Sequence, residues 1–446
     1  MSAIEELNRS ILLCRDYVAD VLSDEEIRQC LQSVRVLCVS DKHSLSSHSG
    51  QTALVTLVSL LSRMGMQVGV TIPDVGMLSK QPPLSGTHLR SALIASSESL
   101  ITGATVAAGS DTTPDLVFVL GDTEIDAGQH RLWRLSGSDW EGSLAMHKSA
   151  ASRAWSAAGP VGAMVSATLA ANEAFKFAMR RLPLRNEGDR IFFEQSISCG
   201  WDFGPAPTPP AELDLGEVDV VSAGAICQAA LYALVRFPHL RMRGRVFDDD
   251  VTGSTNLNRN MMTLATDVGR SKVQVVVHNC DGTGLRLVPI PRRFGGKDCG
   301  GGFRHCVMVG VDDIPSRWEV QRQARGWVGV SGTSHFNISS SAHSPGAPCC
   351  GCLHPVDDAA TNLVPTISFI SFWAGLAMAV RLVREVVGGA YPPERQHLWL
   401  SPLRMDSPHA AMWSPVAPRE DCPVKCRAAL GSMLSYRSHA LMPEEQ

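Results

Sequence analysis

The sequence predicts an α/β fold made of two similar domains, because one order of strands and helices occurs twice. In each half, a short strand rich in β-branched residues is followed by a helix and a second strand. A later strand and a late Ala/Gly-rich helix complete the half. Since a strand–helix–strand unit makes its two strands parallel, each domain is expected to be built on a parallel sheet. Two copies indicate a duplicated domain and not a solenoid.

The elements can be placed by hydrophobic spacing. In the first half, residues 1–33 have helical spacing, and we predict strands at 35–40, 67–72 and 115–120 with helices at 51–64 and 159–179. In the second half, we predict strands at 218–222, 242–247 and 306–311 with helices at 226–236 and 366–387. Residues 204–210 (GPAPTPP) are too rich in proline for regular structure. We therefore assign 1–200 to a first domain, 201–216 to a linker and 217–446 to a second domain.

Composition and charge exclude several classes of protein. The chain has 446 residues, of which 44% are hydrophobic and 19% charged, as is ordinary for a globular protein. A formal net charge of −4 provides no basic field, so we expect no nucleic-acid partner. The polar N-terminal segment does not resemble a secretory signal, and no apolar run reaches the roughly 18 residues of a membrane span. We therefore expect a cytoplasmic protein without membrane contact, in which the 13 cysteines are reduced.

A dense group of polar side chains follows the strand at 242–247. It contains Asp248, Asp249, Asp250, Asn256, Asn258, Arg259 and Lys272. A carboxylate at a strand tip suits a ribose, and two converging cations suit phosphates. We expect a helix after the polar loop, with Lys272 at its far end. The alternative is a solvated acidic turn followed by an amphipathic helix, which explains any one residue well but the ordered set poorly.

This set fits adenylation, in which a carboxylate attacks the α-phosphate of ATP and pyrophosphate leaves. The reaction needs positive charge and a metal ion on the phosphates. Asp312, at the tip of the strand at 306–311, is a candidate Mg²⁺ ligand, and a helix N-cap is its alternative role. The phosphate turn is weaker, because only Gly224 of a GxGxxG pattern remains. Ala225 still permits close backbone approach, and the helix N-terminus still favours an anion.

Four cysteines have the spacing of a metal site. Cys349 and Cys352 form a C-x-x-C pair, and Cys422 and Cys426 form a C-x-x-x-C pair. Two such pairs make a closed tetrahedral thiolate site, which is typical of structural zinc. A disulfide is disfavoured by the reducing compartment, and most other cysteines are expected to be core residues. Cys299, in a glycine-rich segment, is the most exposed of these in our interpretation.

The second half resembles the adenylation domain of ubiquitin-activating enzymes and their relatives in molybdopterin and thiamine biosynthesis. The matching segments are FDDD, STNLNRN, DVGRSK, VGVDDIPSR, PCCGCLHP and DCPVKC. The first half resembles the inactive copy of such enzymes through GPVGAMVSATLAANEAFK, and it lacks the acid–Asn–Arg–Lys set. The tandem of two Rossmann-like domains, a pseudodimer, resembles the activating enzymes of bacterial ubiquitination-like operons, which function in antiviral defence.

The resemblance implies a role for each candidate residue. Asp248 would bind the ATP ribose, Asn256, Arg259 and Lys272 the phosphates, and Asp312 Mg²⁺. Zn²⁺ would be structural and would fix the C-terminal segment through the four cysteines. The implied partners are a ubiquitin-like protein with a C-terminal glycine and a conjugating enzyme. Association of two chains into a homodimer stays open.

One family feature is missing from the sequence. The thioester cysteine of such enzymes lies in a crossover loop, here at about 353–366, where the sequence HPVDDAATNLVPT contains no cysteine. Ala360 stands where that cysteine is expected, so we interpret it as a natural or engineered replacement. Two alternatives remain: a sulfur-carrier adenylyltransferase without a thioester step, and a non-catalytic scaffold for a conjugating enzyme.

Overall fold

The protein contains two mixed, mainly parallel sheets with flanking helices, which confirms the predicted α/β class of two Rossmann-like domains. The structure is a computed structural model that describes residues 3–97, 99–109, 113–123, 125, 131–146, 155, 159–195, 198–295, 303, 305–357 and 364–428. Among the described helices, none combines the length and the apolar character that crossing a membrane requires.

The first half contains helices α1 (Ala3–Arg15), α2 (Asp24–Gln32), α3 (Lys42–Leu45), α4 (His48–Arg63), α5 (Leu89–Ser97), α6 (Val161–Met179) and α7 (Glu187–Glu194). Its strands are β1 (Arg35–Ser40), β2 (Gln67–Thr71), β3 (Thr105–Ala108), β4 (Leu116–Leu120), β5 (Arg131–Ser138), β6 (Glu141–Met146) and β7 (Cys199–Asp202). The sheet order is β3-β2-β1-β4-β5-β6-β7. The first five strands in this order, from β3 through β2, β1 and β4 to β5, are parallel. Strands β6 and β7 then pair antiparallel at the edge of this parallel part.

The second half contains helices α8 (Ala225–Leu234), α9 (Lys272–Cys280), α10 (Ile314–Gln323), α11 (Cys350–Leu353) and α12 (Ser368–Val386). Its strands are β8 (Leu213–Val221), β9 (Leu240–Phe247), β10 (Leu285–Ile290), β11 (Cys306–Val309), β12 (Trp327–Ser334), β13 (Asn337–His343), β14 (His397–Leu400) and β15 (Ala411–Ser414). The order β10-β9-β8-β11-β12-β13-β14-β15 matches that of the first sheet strand for strand, with β15 added at the edge.

The two halves share one hydrophobic core. Helix α6 packs on β5 and β6, α12 packs on β12 and β13, and these two helices contact each other and α4. Helix α4 is therefore buried along nearly its whole length. Gly375 lets α12 approach α8, since a Cβ atom there would lie 2.4 Å from the Ile226 carbonyl oxygen. The contact between the halves is a continuous, closely packed interior.

Two features of the fold differ from the sequence-based expectation. Strands β3, β5, β10 and β12 were not predicted, and neither were the antiparallel strands β6, β7 and β13 to β15, of which segments such as EGSLAM in β6 lack a clear apolar alternation. The linker region is also more ordered than its composition suggests. Residues 203–210 form no helix or strand, but Arg384 donates hydrogen bonds of 2.8 Å to the carbonyls of Gly204 and Pro205. The first sheet ends at Asp202, and the second begins at Leu213.

Candidate functional site

A cavity of about 690 Å³ lies at the carboxyl ends of β8, β9 and β11. Its lining includes Arg9, Ser222, Gly224, Ala225, Asp248, Asn256, Arg259, Lys272 and Asp312. Because the strands are parallel, their tips meet at one edge of the sheet, and polar residues far apart in sequence come together there. Every described nucleotide-site residue to which the sequence analysis gave a role therefore lies at this one cavity.

The turn between β8 and α8 keeps a tight conformation without the glycine pattern. Ser222 has φ +93°, a region that L residues rarely adopt, and its hydroxyl accepts a hydrogen bond of 2.9 Å from the Gly224 N–H. Gly224 is the N-cap of α8, so the unpaired N–H groups of that helix face the cavity. Gly310, after β11, allows close packing there, because a Cβ atom would lie 2.6 Å from Cys227 Sγ. The turn therefore offers an anion site despite the eroded motif.

Asp248 is held at the tip of β9 by backbone donors. Its Oδ2 accepts a hydrogen bond of 2.7 Å from the Ala223 N–H, and its Oδ1 accepts one of 2.9 Å from the Asp250 N–H. Oδ2 also accepts a longer hydrogen bond of 3.4 Å from the Ser222 hydroxyl, whereas Oδ1 has a second lone pair, and the side chain is only partly buried. The carboxylate is thus oriented and can still accept hydroxyl donors from a ligand.

The position of Lys272 corrects one prediction. Lys272 is the first residue of α9 and does not end a preceding helix, so the expected helix before it was wrong. The chain between β9 and α9 instead folds back on itself, with Val251 bridged to Ser271 and the Gly269 N–H donating 2.9 Å to Thr252 O. Gly269 has φ +89°, which ends any helix there.

Lys272 reaches the cavity as one member of an ion pair. Its Nζ lies 2.5 Å from Asp250 Oδ2, and only 11% of its side chain is exposed, against 63% for Asp250. The exposed carboxylate can move away at little cost, whereas most of the lysine side chain is buried. A phosphate at the cavity would therefore compete with Asp250 for Lys272.

Two arginines from different halves meet at the cavity. Arg259 donates a hydrogen bond of 2.8 Å to Asn258 Oδ1 and a second one to the Thr255 carbonyl. Burial, together with the neighbouring Arg9, lowers the pKa of Arg259 to about 10, and Asp312 opposes this shift. Arg259 is still a cation at neutral pH, so it can pair with a phosphate at the cavity.

Arg9 was missed by the sequence analysis. It belongs to α1 in the first half, and its Nη1 donates a hydrogen bond of 2.8 Å to the Val364 carbonyl. Nothing in the local pattern of α1 marks this residue, because its role follows from the packing of α1 against the second half.

Asn256 lies in the loop after β9 and also lines the cavity. Its Oδ1 accepts a hydrogen bond of 2.9 Å from the Gly253 N–H, and this leaves its NH₂ group to donate to a ligand.

Asp312 and Asp313 have different roles, one at the cavity and one as a helix cap, and the sequence alone does not show which residue has which role. Asp313 is the N-cap of α10 and accepts a hydrogen bond of 2.9 Å from the Ser316 N–H. Asp312, the residue before it, is exposed and lines the cavity. The capping alternative for Asp312 is therefore wrong, and its carboxylate can bind a hard cation such as Mg²⁺.

The four cysteines form a second, separate cluster. Their sulfur atoms all lie within 4.8 Å of one another, with Cys349–Cys422 at 3.5 Å and Cys352–Cys426 at 3.6 Å. These separations are too long for a disulfide of about 2.05 Å and suit a tetrahedral metal with Zn–S bonds of about 2.3 Å. Gly351 fits between the pairs, since a Cβ atom would lie 2.7 Å from the Val424 side chain. The cluster could hold zinc and would join α11 to the C-terminal segment.

In the first half, the corresponding space is filled. Helix α3 is inserted between β1 and α4, and Asp41 caps it through the Ser44 N–H. A Cβ atom at Gly121, just after β4, would lie 1.8 Å from Ser44 Oγ, and one at Gly50 would lie 2.0 Å from Ser44 O. The strand tips that form a cavity in the second half are thus covered by α3 here.

The thiol that a thioester step requires is not found among the described residues that line the cavity. Ala360, with residues 358–363 of the expected crossover loop, and Cys299 lie outside the described residues. Within the described part of the chain, none of the residues lining the cavity is a cysteine. Cys227, beneath the turn, is buried, and desolvation raises the pKa of its thiol well above the usual range.

Comparison with known sequences identifies a matching family and a distant relative. The family described as "BilD N-terminal domain" matches residues 35–187. A curated protein of Sinorhizobium fredii (strain NBRC 101917 / NGR234), described as "Uncharacterized protein y4jF", is 27% identical over 146 residues. The aligned segment covers 32% of this chain and 28% of that protein, so it spans less than a third of the relative.

Comparison with solved structures gives distant likenesses. Crystal structures of PaaA and of E. coli MccB are similar at TM-scores of 0.33 and 0.38, with 15% and 14% sequence identity. The PaaA match covers 42% of this chain and 60% of PaaA. The MccB matches cover 47% of this chain, with 66% of MccB in the structure with succinimide and 64% in the other. At these TM-scores the likeness carries no argument about function. The first half is therefore similar to the BilD N-terminal domain, and the site in the second half has to be interpreted from its own geometry.

Proposed function

We propose that the protein is an ATP-dependent adenylyltransferase that activates the C-terminal carboxylate of a ubiquitin-like protein. One observation supports this most strongly: the oriented carboxylate of Asp248, the N-terminus of α8 and cations that include Arg9, Arg259 and Lys272 line one cavity at the strand tips. A carboxylate that orients a ribose and cations that bind phosphates are what nucleotide activation needs. The similarity to the BilD N-terminal domain and the family motifs of the second half are consistent with it.

In the proposed reaction, Asp248 accepts hydrogen bonds from the ATP ribose. Arg259, Lys272 and Arg9 stabilise the negative charge that develops on the phosphates. A carboxylate oxygen of the carrier attacks the α-phosphorus, the bond to the β-phosphate oxygen breaks, and pyrophosphate leaves. The product is an acyl-adenylate, a mixed anhydride with AMP as a good leaving group.

The proposed enzyme would bind two metal ions. Asp312 would hold Mg²⁺, which neutralises phosphate charge when bound. Cys349, Cys352, Cys422 and Cys426 would hold structural Zn²⁺, away from the reacting atoms. The inserted helix α3 supports an inactive first half that contributes Arg9 to an active second half.

A thioester step would follow adenylation. A thiolate attacks the acyl carbon, AMP leaves with the bonding electrons, and the carrier is then transferred to a conjugating enzyme, in a bacterial ubiquitination-like pathway of antiviral defence. A second candidate function stops at the adenylate, as in activation of a sulfur carrier. The lack of a cysteine among the described residues lining the cavity favours this simpler reaction for the chain as it stands.

Exchange of labelled pyrophosphate into ATP tests the proposal. We expect exchange that requires a ubiquitin-like protein ending in glycine and that is lost when this terminal glycine is removed. Arg259→Ala and Asp312→Ala should each lower the rate by about 100-fold. Arg190→Ala is the control, since this exposed arginine forms its ion pairs within the described part of the chain with Glu187 and Glu194 of its own helix. Exchange that is unaffected by both site variants would overturn the assignments, and absence of any exchange would favour a scaffold.

A further inference from the structure

The loop that contains Asn256 and Arg259 is enclosed by residues from both halves of the chain. Its apolar side chains Leu257, Met261 and Met262 are fully buried, and so is the Asn258 side chain. The loop is irregular, with a short 3₁₀ turn at Ser254–Asn256, so its backbone groups need partners from elsewhere. The identity of those partners decides what holds the loop in place.

Arg63 supplies the largest set of partners. It is the last residue of α4, in the first half, and its side chain is fully buried. Its Nη1 donates a hydrogen bond of 2.6 Å to the Leu257 carbonyl. Its Nη2 donates hydrogen bonds of 3.1 Å to Met261 O and of 2.8 Å to Thr263 O. One planar guanidinium therefore holds three carbonyls on either side of Arg259.

The charge of Arg63 is satisfied mainly by this loop. No ion pair to Arg63 occurs among the described residues, and burial lowers its pKa to about 9, while Tyr232 and Asp267 oppose this shift. A buried cation that makes no direct ion pair depends mainly on its hydrogen bonds, so the three carbonyls and the guanidinium stabilise each other. If the loop moved away, the cation would remain buried without partners.

The second half holds the same loop through the side chains of Gln228 and Asn279, and Asn279 Nδ2 donates a hydrogen bond of 2.8 Å to Met262 O. Gln228, on α8, is fully buried, and its Oε1 accepts the Met262 N–H at 3.0 Å and the Thr263 hydroxyl at 3.0 Å. Its Nε2 donates 2.9 Å to the Ala223 carbonyl, in the turn at the base of the cavity. Gln228 thus ties the loop to the phosphate turn, and Arg63 fixes it from the opposite side.

Helix α1 adds contacts at the start of the loop. Ser254 Oγ donates a hydrogen bond of 2.8 Å to Glu5 Oε1, and Asn258 Nδ2 donates one of 2.9 Å to Ser10 Oγ. Both partners lie within about one helical turn of Arg9, which lines the cavity. The first half therefore touches the loop from α1 and from α4.

We propose that Arg63 is a positioning residue, through which the first half orders the phosphate-binding loop of the second half. This inference rests on the proposed nucleotide site. It gives a defined role to the first half, whose own strand tips are covered, because Arg63 keeps Asn256 and Arg259 aimed into the cavity. Arg63 does not touch the ligand and acts only through the loop backbone.

The test compares Arg63→Lys with Arg236→Lys. Lysine keeps the charge but cannot span three carbonyls. Arg236 is a matched control, because it is also fully buried and also bonds carbonyls, including Pro82 O of the first half at 2.7 Å, but none of the loop. Both variants are measured well below their unfolding temperatures, first without nucleotide and then with ATP and Mg²⁺.

The rate of amide hydrogen exchange without nucleotide measures directly how readily the loop opens. We expect Arg63→Lys to speed exchange at Asn260, Met262 and Thr263 by about tenfold relative to β8 and β11, because each lost hydrogen bond to a charged group is worth more than about 1 kcal/mol. The dissociation constant for ATP should rise by a similar factor of about ten. Arg236→Lys should leave both the loop exchange and the ATP affinity within about twofold of the parent.

Each outcome decides a different claim. Loop exchange and ATP affinity that change no more in Arg63→Lys than in Arg236→Lys would overturn the positioning role. Faster exchange throughout β8 and β11 in Arg63→Lys would show a general loss of stability and would likewise count against it. If the parent protein binds no ATP, the proposed function fails, and the loop exchange alone still decides whether Arg63 orders this segment.

Discussion

Lys272 and Asp250 form an ion pair at the rim of the cavity, with 2.5 Å between Nζ and Oδ2. The pair neutralises one of the cations that the proposed phosphate site needs. Asp250→Asn removes the competing anion and leaves Lys272 in place, so ATP affinity should increase about two- to fivefold, within the range of an exposed ion pair. Titration calorimetry at low and at physiological salt measures this. Weaker binding would contradict it and would mean that Asp250 is needed to hold Lys272.

Arg9 provides a second prediction. Because it reaches the cavity from α1 and bonds Val364 O, its loss should affect the reaction more than the fold. Arg9→Ala should lower the rate of pyrophosphate exchange by about 10- to 1000-fold, while the unfolding temperature changes by a few degrees at most. Arg9→Lys should recover part of the rate. Equal rates in parent and Arg9→Ala would exclude a role for this side chain.

The cysteine cluster predicts a metal that supports the C-terminal segment. Purified protein should contain about one zinc per chain, and Cys352→Ser or Cys422→Ser should lose it and unfold at a lower temperature. Cys350→Ser is the matched control, since Cys350 is adjacent and buried but bonds Arg317 O and lies outside the cluster. Elemental analysis and thermal unfolding measure both effects. Full zinc content in either cluster variant would refute the assignment.

The position of Ala360 can be tested by restoring a nucleophile. With ATP and the ubiquitin-like carrier, Ala360→Cys should form an adduct that a reducing agent cleaves. Ala360→Ser should form an oxygen ester that a reducing agent does not cleave and that alkali hydrolyses. Electrophoresis with and without reductant distinguishes them. If pyrophosphate exchange proceeds and neither variant forms an adduct, position 360 is not the acceptor site.

His343 predicts a dependence of stability on pH. It is fully buried between Ser341, Pro348 and Gln396, and desolvation lowers its pKa to about 4, with nearby Arg381, His354 and His397 also lowering it. Between pH 6.5 and 4 the unfolded chain binds a proton that the folded chain does not. The free energy of unfolding should therefore fall as the pH drops, by about 1 kcal/mol per pH unit.

The control for that prediction is His343→Gln, which cannot take up the proton. Its unfolding free energy, from urea titrations at several pH values across this window, should decline less steeply than that of the parent. Equal slopes would show that other groups, such as carboxylates or His397, dominate the acid response.

Much of the candidate site could be predicted from the sequence. The acids after β9 and β11 follow apolar strands, and parallel strands bring their tips together, so Asp248 and Asp312 could be placed at one edge. The cysteine spacing likewise indicated a cluster, because each of the two pairs has the short interval that chelation needs. The residue types and their short intervals are local in the chain, whereas the meeting of the two cysteine pairs is a tertiary contact.

Other features were decided by tertiary contacts. Lys272 lies at a helix start because the chain before it folds back through Gly269, which helix spacing could not indicate. Arg9 and Arg63 reach the site only because α1 and α4 pack against the second half. The covering of the first half by α3 depends on where Ser44 meets Gly121. The sequence by itself thus determined which chemical groups are present and which strand tips hold them. The packing of one half on the other decided which cations converge on the cavity, because that convergence is made by contacts between segments that are distant in the chain.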